Sequence, residues 1–408
     1  MIGGLVCLDM QGGHAMNFDK VTEYLESLPD RYETRCADVK VMQDHRTIYR
    51  HMFGTSDYAD SIPVNEDNLY DVYSASKVLT AVAVMQLVER GVISLEDEVS
   101  KYLPEYGKVR VLEDFDLTDF VSGYQFLKGW PHEPEYKTKP VRTPIRVWNL
   151  LSMTAGLSYE IHNPFVAALL KRNPHAGTRE IVEQFAKVPL LYQPGTRYAY
   201  SLGHDVAAAL VEVVSGMSFS EYMKKNIFDP VGAEDMFYHA VFPERTVCLY
   251  SGRNPETGQL VPQKFNIARI NDCYESGGGG LLCSVDSYIK VLDALACGGE
   301  SAHGERILQP ETIALMSRNR LNEQQLADFH IGGKKEYGYG LGVRTLMDAG
   351  RSKSPIGEFG WDGAAGAYAL VDPVNRLSLF YVQAAPESGT AFSEIHPTLR
   401  DLVYEAIS

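Results

Sequence analysis

The sequence predicts an α+β fold: one antiparallel β-sheet built from both ends of the chain, flanked by helices, with a mainly helical domain inserted between the two ends. Three observations carry this expectation. Residues 37–54 read as a β-hairpin, residues 339–382 return to β-rich runs, and between about 92 and 265 the signals are mostly helices and loops. The implied division is a sheet domain from 16–75 and 266–408, and a helical domain from 76–265, with the reactive cleft between them.

Residues 1–15 hold a short apolar patch, but Asp9 interrupts it and no Lys or Arg precedes it. A secretory signal is not expected from this pattern, and the segment reads as a loose leader, with Met16 as an alternative start. In 17–29, Phe18, Val21, Leu25 and Leu28 have helical spacing, and Pro29 is expected to end the helix. Two β-rich runs follow, 37–42 and 47–54, split by Gln43-Asp44-His45-Arg46. A polar loop, 55–71, leads to Tyr73-Ser74-Ala75-Ser76-Lys77 and then to residues 78–88, which are apolar on nearly every side, with Gly91 as a stop. A helix apolar all round is buried.

Further on, 143–152 predicts a short helix with Pro144 at its start. The irregular stretch 105–143 is long enough to be a flap over the cleft. A turn at Gln193-Pro194-Gly195 precedes an apolar helix over 202–215. Ser276-Gly277-Gly278-Gly279-Gly280 invites a phosphate-loop reading, yet neither G-x-x-x-x-G-K-[ST] nor G-x-G-x-x-G is present. Close backbone approach at a domain junction is the expectation there. Ser284 caps a helix over 285–296. Strands are expected at 339–345, 367–372 and 377–382, the last two joined by a turn at 372–376, and a helix over 397–406 ends the chain.

Composition narrows the function. A formal net charge of −15 argues against a nucleic-acid binder, and no apolar run reaches the length needed to span a bilayer. The six cysteines have no C-x-x-C spacing, and no H-E-x-x-H occurs among the eleven histidines. Reduced thiols in the cytoplasm, with no metal and no cofactor, are the expectation. The oligomeric state is left open.

Chemistry points to Ser74 and Lys77. Positions i and i+3 share a helical face, so Lys77 would reach Ser74 and take its proton. Burial among Val78, Ala81 and Met85 would lower the lysine's pKa, and free N–H groups at the helix start suit an oxyanion. The spacing S-x-x-K is common, and Ser287/Lys290 repeats it. That second pair sits in a helix whose Tyr288, Val291, Leu292 and Leu295 form a packing face, so a structural role is expected for it. No G-x-S-x-G elbow is present to serve a Ser-His-Asp triad. His204 reads as a solvated or hydrogen-bonded histidine at a helix start.

Five motifs in order resemble the serine β-lactamase-like family of the class C β-lactamase and penicillin-binding-protein type, over about residues 17–405. They are Ser74-Ala75-Ser76-Lys77, Leu150 to Leu157, Pro194 to Ser201, Gly278-Gly279-Gly280-Leu281 and Gly360 to Gly366. The resemblance implies that Ser74 is the acylated nucleophile, Lys77 its proton acceptor and Tyr200 the proton shuttle. The backbone N–H groups of Ser74 and Ala364 would form the oxyanion hole, and Trp361, Asp362, Gly363 and Leu202 would border the substrate, Trp361 on an edge strand. Two departures redirect the substrate. Leu202 stands where that type has Asn after Tyr-x, and Trp361 where it has the Lys of Lys-Thr-Gly, the residue that attracts a β-lactam carboxylate. The W-x-G element resembles the β-lactamase-like carboxylesterase branch. The expected function is hydrolysis of a small-molecule ester or amide through an acyl-enzyme, chiefly as a carboxylesterase with weak action on β-lactams. A β-lactamase or DD-peptidase, an acyltransferase and a catalytically silent scaffold remain as alternatives.

Overall fold

The structure, a computed structural model, describes residues 16–114, 137–239, 242–254, 256–263, 266–384 and 389–408. The leader at 1–15 and the middle of the 105–143 flap lie outside the described residues.

The first helix, α1 (Asp19–Tyr32), buries Val21, Tyr24, Leu25 and Leu28. It runs past Pro29 rather than stopping there. The proline removes one i→i−4 bond from the ladder, but its carbonyl accepts the Glu33 N–H, and Glu33 closes the helix in the left-handed conformation. Strands β1 (Cys36–Gln43) and β2 (Arg46–Gly54) form the expected hairpin, with Asp44 and His45 both at positive φ, as a two-residue hairpin turn requires.

The reactive stretch gives α2 (Ser76–Glu89), whose residues from Ser76 to Leu87 are all buried. A short helix, α3 (Val147–Leu151), begins three residues beyond Pro144, after the extended Arg146. Helices α4 (Gly203–Ser215) and α5 (Val285–Ala296) follow their predicted spans closely, and the Ser284 hydroxyl accepts the Ser287 N–H as a cap. Helix α6 (Glu323–His330) leads to the C-terminal strands.

These are β3 (Tyr337–Tyr339), β4 (Arg344–Leu346), β5 (Phe359–Asp362), β6 (Tyr368–Asp372) and β7 (Leu377–Gln383), before the last helix, α7 (His396–Ala406). The single strand expected over 339–345 is therefore a tight hairpin. Gly342, at φ +84, turns the chain where an L side chain would be strained.

The seven strands make one antiparallel sheet in the order β3-β4-β5-β6-β7-β1-β2. The two chain ends meet where β1 pairs with β7, from Ala37↔Gln383 to Gln43↔Leu377. Alternation along β7 assigns its faces: Leu379 and Tyr381 pack with α1 and α7, while Phe380 and Val382 face the larger core containing α2, α4 and α5. Tyr288 of α5 stacks on Phe380 with ring centroids 4.0 Å apart. Strand β5 is internal to the sheet, not an edge strand. Its pairing with β4 covers only Phe359 and Gly360, however, so Trp361 and Asp362 are paired on the β6 side alone. Among the described residues no helix is long and apolar enough to cross a membrane.

Candidate active site

Ser74 lies in a 3₁₀ turn, Tyr73–Ala75, that feeds directly into α2. Tyr73 holds φ +44, an uncommon conformation for a residue with a side chain. Two contacts brace the turn: the Ser76 hydroxyl donates to the Tyr73 carbonyl at 2.6 Å, and the Leu281 N–H donates to the same hydroxyl at 3.2 Å.

The Lys77 Nζ lies 3.1 Å from the Ser74 Oγ and 2.5 Å from the carbonyl oxygen of Gly278. Lys77 is wholly buried. Loss of hydration pulls its pKa from 10.5 down to about 7, against the opposing pull of the Asp205 carboxylate. A buried amine of this kind can hold or give up a proton near neutral pH.

Three aromatic side chains close one side. Tyr200 stacks between Tyr159 and Trp361, at centroid separations of 5.5 and 5.7 Å, and the Trp361 Nε1–H donates to the Tyr200 hydroxyl at 3.2 Å. The Lys77 ammonium lies 4.7 Å from the Tyr200 ring centroid and 5.6 Å from that of Tyr159. Burial raises the Tyr200 pKa, and hydrogen bonds with Ser74 and Trp361 oppose that rise. The phenol thus stays protonated and within reach of the serine. The sequence carries no signal for Tyr159. This residue follows the Gly156-Leu157 motif by two residues, but the spacing alone assigns it no role.

Beyond Trp361 the chain turns sharply. A Cβ on Gly363 would come within 2.1 Å of the Val72 carbonyl oxygen, so only glycine lets this turn press against the residues just before Ser74. Ala364 follows in the same turn, which the Gly363 N–H closes by donating to the Ala367 carbonyl at 2.8 Å. Among the described residues neither the Ala364 N–H nor the Ser74 N–H donates to a backbone carbonyl.

The other candidates are placed differently. Asp362 points to the opposite sheet face from Trp361, as its neighbour on a strand must. There Arg344 donates to its Oδ1 at 2.9 Å, Lys334 binds its Oδ2, and the pair holds its carboxyl below the usual carboxylate range. Leu202 is buried in the main core at the start of α4, its N–H donating to the Ser158 carbonyl. His204 is neither solvated nor hydrogen-bonded. It is fully buried, neither ring nitrogen has a partner among the described residues, and burial together with Lys77 keeps it neutral.

The second S-x-x-K pair is absorbed by packing. The Ser287 hydroxyl accepts the Asp235 N–H at 3.0 Å, and Lys290 donates to the Gly232 carbonyl at 2.7 Å. Two groups of metal-ligand type occur among the described residues, His45/Asp293/Cys297 and His175/Asp272/Cys273. Each is accounted for by its own hydrogen bond, His45 Nδ1 to Asp293 at 2.7 Å and His175 Nδ1 to Asp272 at 2.9 Å.

Known proteins share both sequence and architecture with this chain. It is 29% identical to acyltransferase calJ of Penicillium decumbens over 351 residues, covering 79% of this chain and 78% of the relative. It is 28% identical to the lovastatin esterase of Penicillium rubens over 374 residues, covering 85% and 87%. The solved structure of EstCE1, described as a hydrolase with promiscuous acyltransferase activity, superimposes with a TM-score of 0.75 at 22% identity, covering 94% of this chain and 97% of that one. A sequence model of the beta-lactamase family matches residues 21–402, nearly the whole span that carries the sheet, the buried helix α2 and the Ser74 group. The chain belongs to the beta-lactamase family of serine hydrolases.

Proposed function

We propose that this protein is a carboxylesterase that works through an acyl-enzyme on Ser74. The observation that carries the reading is the 3.1 Å contact between the Ser74 hydroxyl and a lysine whose burial favours its neutral form. Neutral Lys77 takes the hydroxyl proton as the Ser74 Oγ attacks the ester carbonyl. The tetrahedral oxyanion is received by the N–H groups of Ser74 and Ala364, donors worth about 10²–10³ in rate each. Tyr200 passes the proton from Lys77 to the departing alkoxide, which leaves as an alcohol. Water then attacks the acyl-Ser74, and the same relay runs in reverse.

Neutral esters suit this site better than β-lactams. Trp361 presents an apolar wall, and the cations of this region, Lys334 and Arg344, are engaged with Asp362 on the far face of the sheet. Neither of these two cations is thereby available to a penicillin carboxylate. The substrate is a small-molecule ester, held between the sheet portion (16–75 and 266–408) and the helical portion (76–265). The free thiols of Cys36, Cys248, Cys273, Cys283 and Cys297 fit a reducing, cytoplasmic setting.

A second reading, transfer of the acyl group to an alcohol rather than to water, is favoured by one relative named an acyltransferase and by the EstCE1 description. The test is fluorophosphonate labelling with the adduct located by mass spectrometry, beside Ser74→Ala. Labelling at Ser74 that vanishes in the variant is expected, and labelling elsewhere, or none, sinks the mechanism. Rates on short p-nitrophenyl esters and on nitrocefin then separate esterase from β-lactamase. Adding a primary alcohol and measuring the new ester separates hydrolysis from transfer.

A further inference from the structure

Behind Lys77 lies a buried carboxylate that the reaction scheme above does not use. Asp205, in the first turn of α4, is almost inaccessible to solvent. Its Oδ1 accepts three hydrogen bonds: from the Tyr274 hydroxyl at 2.6 Å, from the Ser276 hydroxyl at 2.6 Å, and from the Gly278 N–H at 3.3 Å. A Cβ on Gly278 would fall 2.4 Å from the other carboxylate oxygen, so a glycine is needed for the turn to close on Asp205. Gly278 is thereby held through its N–H by Asp205, while its carbonyl accepts the Lys77 ammonium at 2.5 Å.

We propose that Asp205 is the positioning residue of the nucleophile's base: through the Gly278 backbone it fixes where the Lys77 Nζ sits, and its charge opposes the loss of the Lys77 proton. The inference rests on the reading of Lys77 as the base for Ser74. A buried carboxylate with three donors on one oxygen is strongly oriented, and an opposite charge near a desolvated amine favours the charged form. The other groups around Lys77 do not duplicate this. Ser74 on its own turn, Tyr200 and Tyr159 from the helical portion, and Tyr274 against Asp205 are neutral hydroxyls, and His204, the neighbour of Asp205 on α4, is held neutral. Asp205 is the one anion found acting on the Lys77 proton among the described residues. The four-glycine run supplies the backbone through which a residue on α4 reaches a residue on α2.

The test compares Asp205→Asn and Asp205→Glu with the wild-type protein, reading the rate of fluorophosphonate attachment to Ser74 and kcat/KM on a p-nitrophenyl ester from pH 5 to 9. Asn keeps an oxygen that can accept the same three bonds but removes the charge. The acidic limb is expected to move down by about one pH unit. Glu keeps the charge and displaces the Gly278 backbone, so the limb stays near its wild-type position while the plateau falls, by up to about 100-fold. If Asp205→Asn does not fold, Ser276→Ala strips one donor from the same oxygen and leaves the charge. A lower labelling rate with an unmoved limb is the expected result, and an unchanged rate overturns the proposal. An unmoved limb in a folded Asp205→Asn protein also overturns it, because a residue that only stabilises the fold has no reason to move a titration. Failure of wild-type Ser74 to label at all would instead count against the serine-hydrolase reading itself.

Discussion

Lys77→Met probes two pH signatures that share one cause. Burial takes the Lys77 pKa from 10.5 to about 7. A base must be neutral to act, so wild-type kcat/KM on a p-nitrophenyl ester is expected to rise about tenfold per pH unit up to about pH 7 and level off above. At pH 5 the rate should be about one hundredth of the plateau. Stability carries the same signal. Because the folded pKa lies below the unfolded one, the unfolded chain binds more protons between about pH 7 and 10.5, and stability rises with pH through that window. The contribution is complete above 10.5 and lost as the pH falls to about 7. The gap corresponds to on the order of 5 kcal/mol for this fully buried group, at about 1.4 kcal/mol per pH unit. Met keeps the apolar stem and removes the titration. Urea unfolding at pH 7, 8, 9 and 10 should therefore show a gain in the wild-type protein that exceeds the gain in Lys77→Met by about 1.4 kcal/mol per unit, while the variant loses esterase activity throughout. A wild-type rate that is flat from pH 5 to 8, or unfolding slopes that coincide in the two proteins, would refute the assignment of Lys77 as a buried, neutral base.

Three further outcomes follow from the contacts. Gly363→Ala drives a methyl against the Val72 carbonyl and displaces the Ala364 N–H from the nucleophile turn; kcat should fall about 10²–10³-fold with little change in KM, and a loss smaller than threefold would clear that turn of any catalytic part. Ser287→Ala removes only the acceptor of the Asp235 N–H; a cost of about 1 kcal/mol in thermal or urea unfolding, with kcat/KM unchanged, is expected. Arg344→Met leaves Asp362 and Glu358 short of a buried cation, so unfolding should become easier by about 3–5 kcal/mol, and retention of the wild-type midpoint in urea would show that Lys334, Tyr337 and Ser354 suffice to hold the two carboxylates.

What the sequence made legible is what local chemistry determines. The hairpin, α4 and α5 were readable because periodicity, turn residues and the Ser284 cap all act within a few residues. Ser74 and Lys77 were readable because one helical turn joins them. Tyr200 and Trp361, far away in the chain, could be assigned only by resemblance. The misreadings share the opposite character. Pro29 lies inside α1 because the packing of Val21, Leu25 and Leu28 holds the helix despite the one ladder bond the proline removes, and the 339–345 strand breaks at Gly342 to admit a neighbour: a Cβ there would lie 2.6 Å from the Ala81 side chain and 2.8 Å from the His204 ring. His204 looked like a solvated helix start because burial is decided by what packs on it, here α2 and the Gly342 turn. Asp362 looked like part of the substrate wall because it follows Trp361, yet adjacency on a strand puts the two on opposite faces. The glycines at 278, 342 and 363 explain why the site resists a purely sequential reading. Each is a place where backbone comes too close to something for a side chain to exist: the Asp205 carboxylate, the His204 ring, the Val72 carbonyl. Reacting groups announce themselves by residue type and spacing. The groups that tune them are brought into range by such approaches, and a glycine in a sequence does not say which distant partner it was left bare to admit.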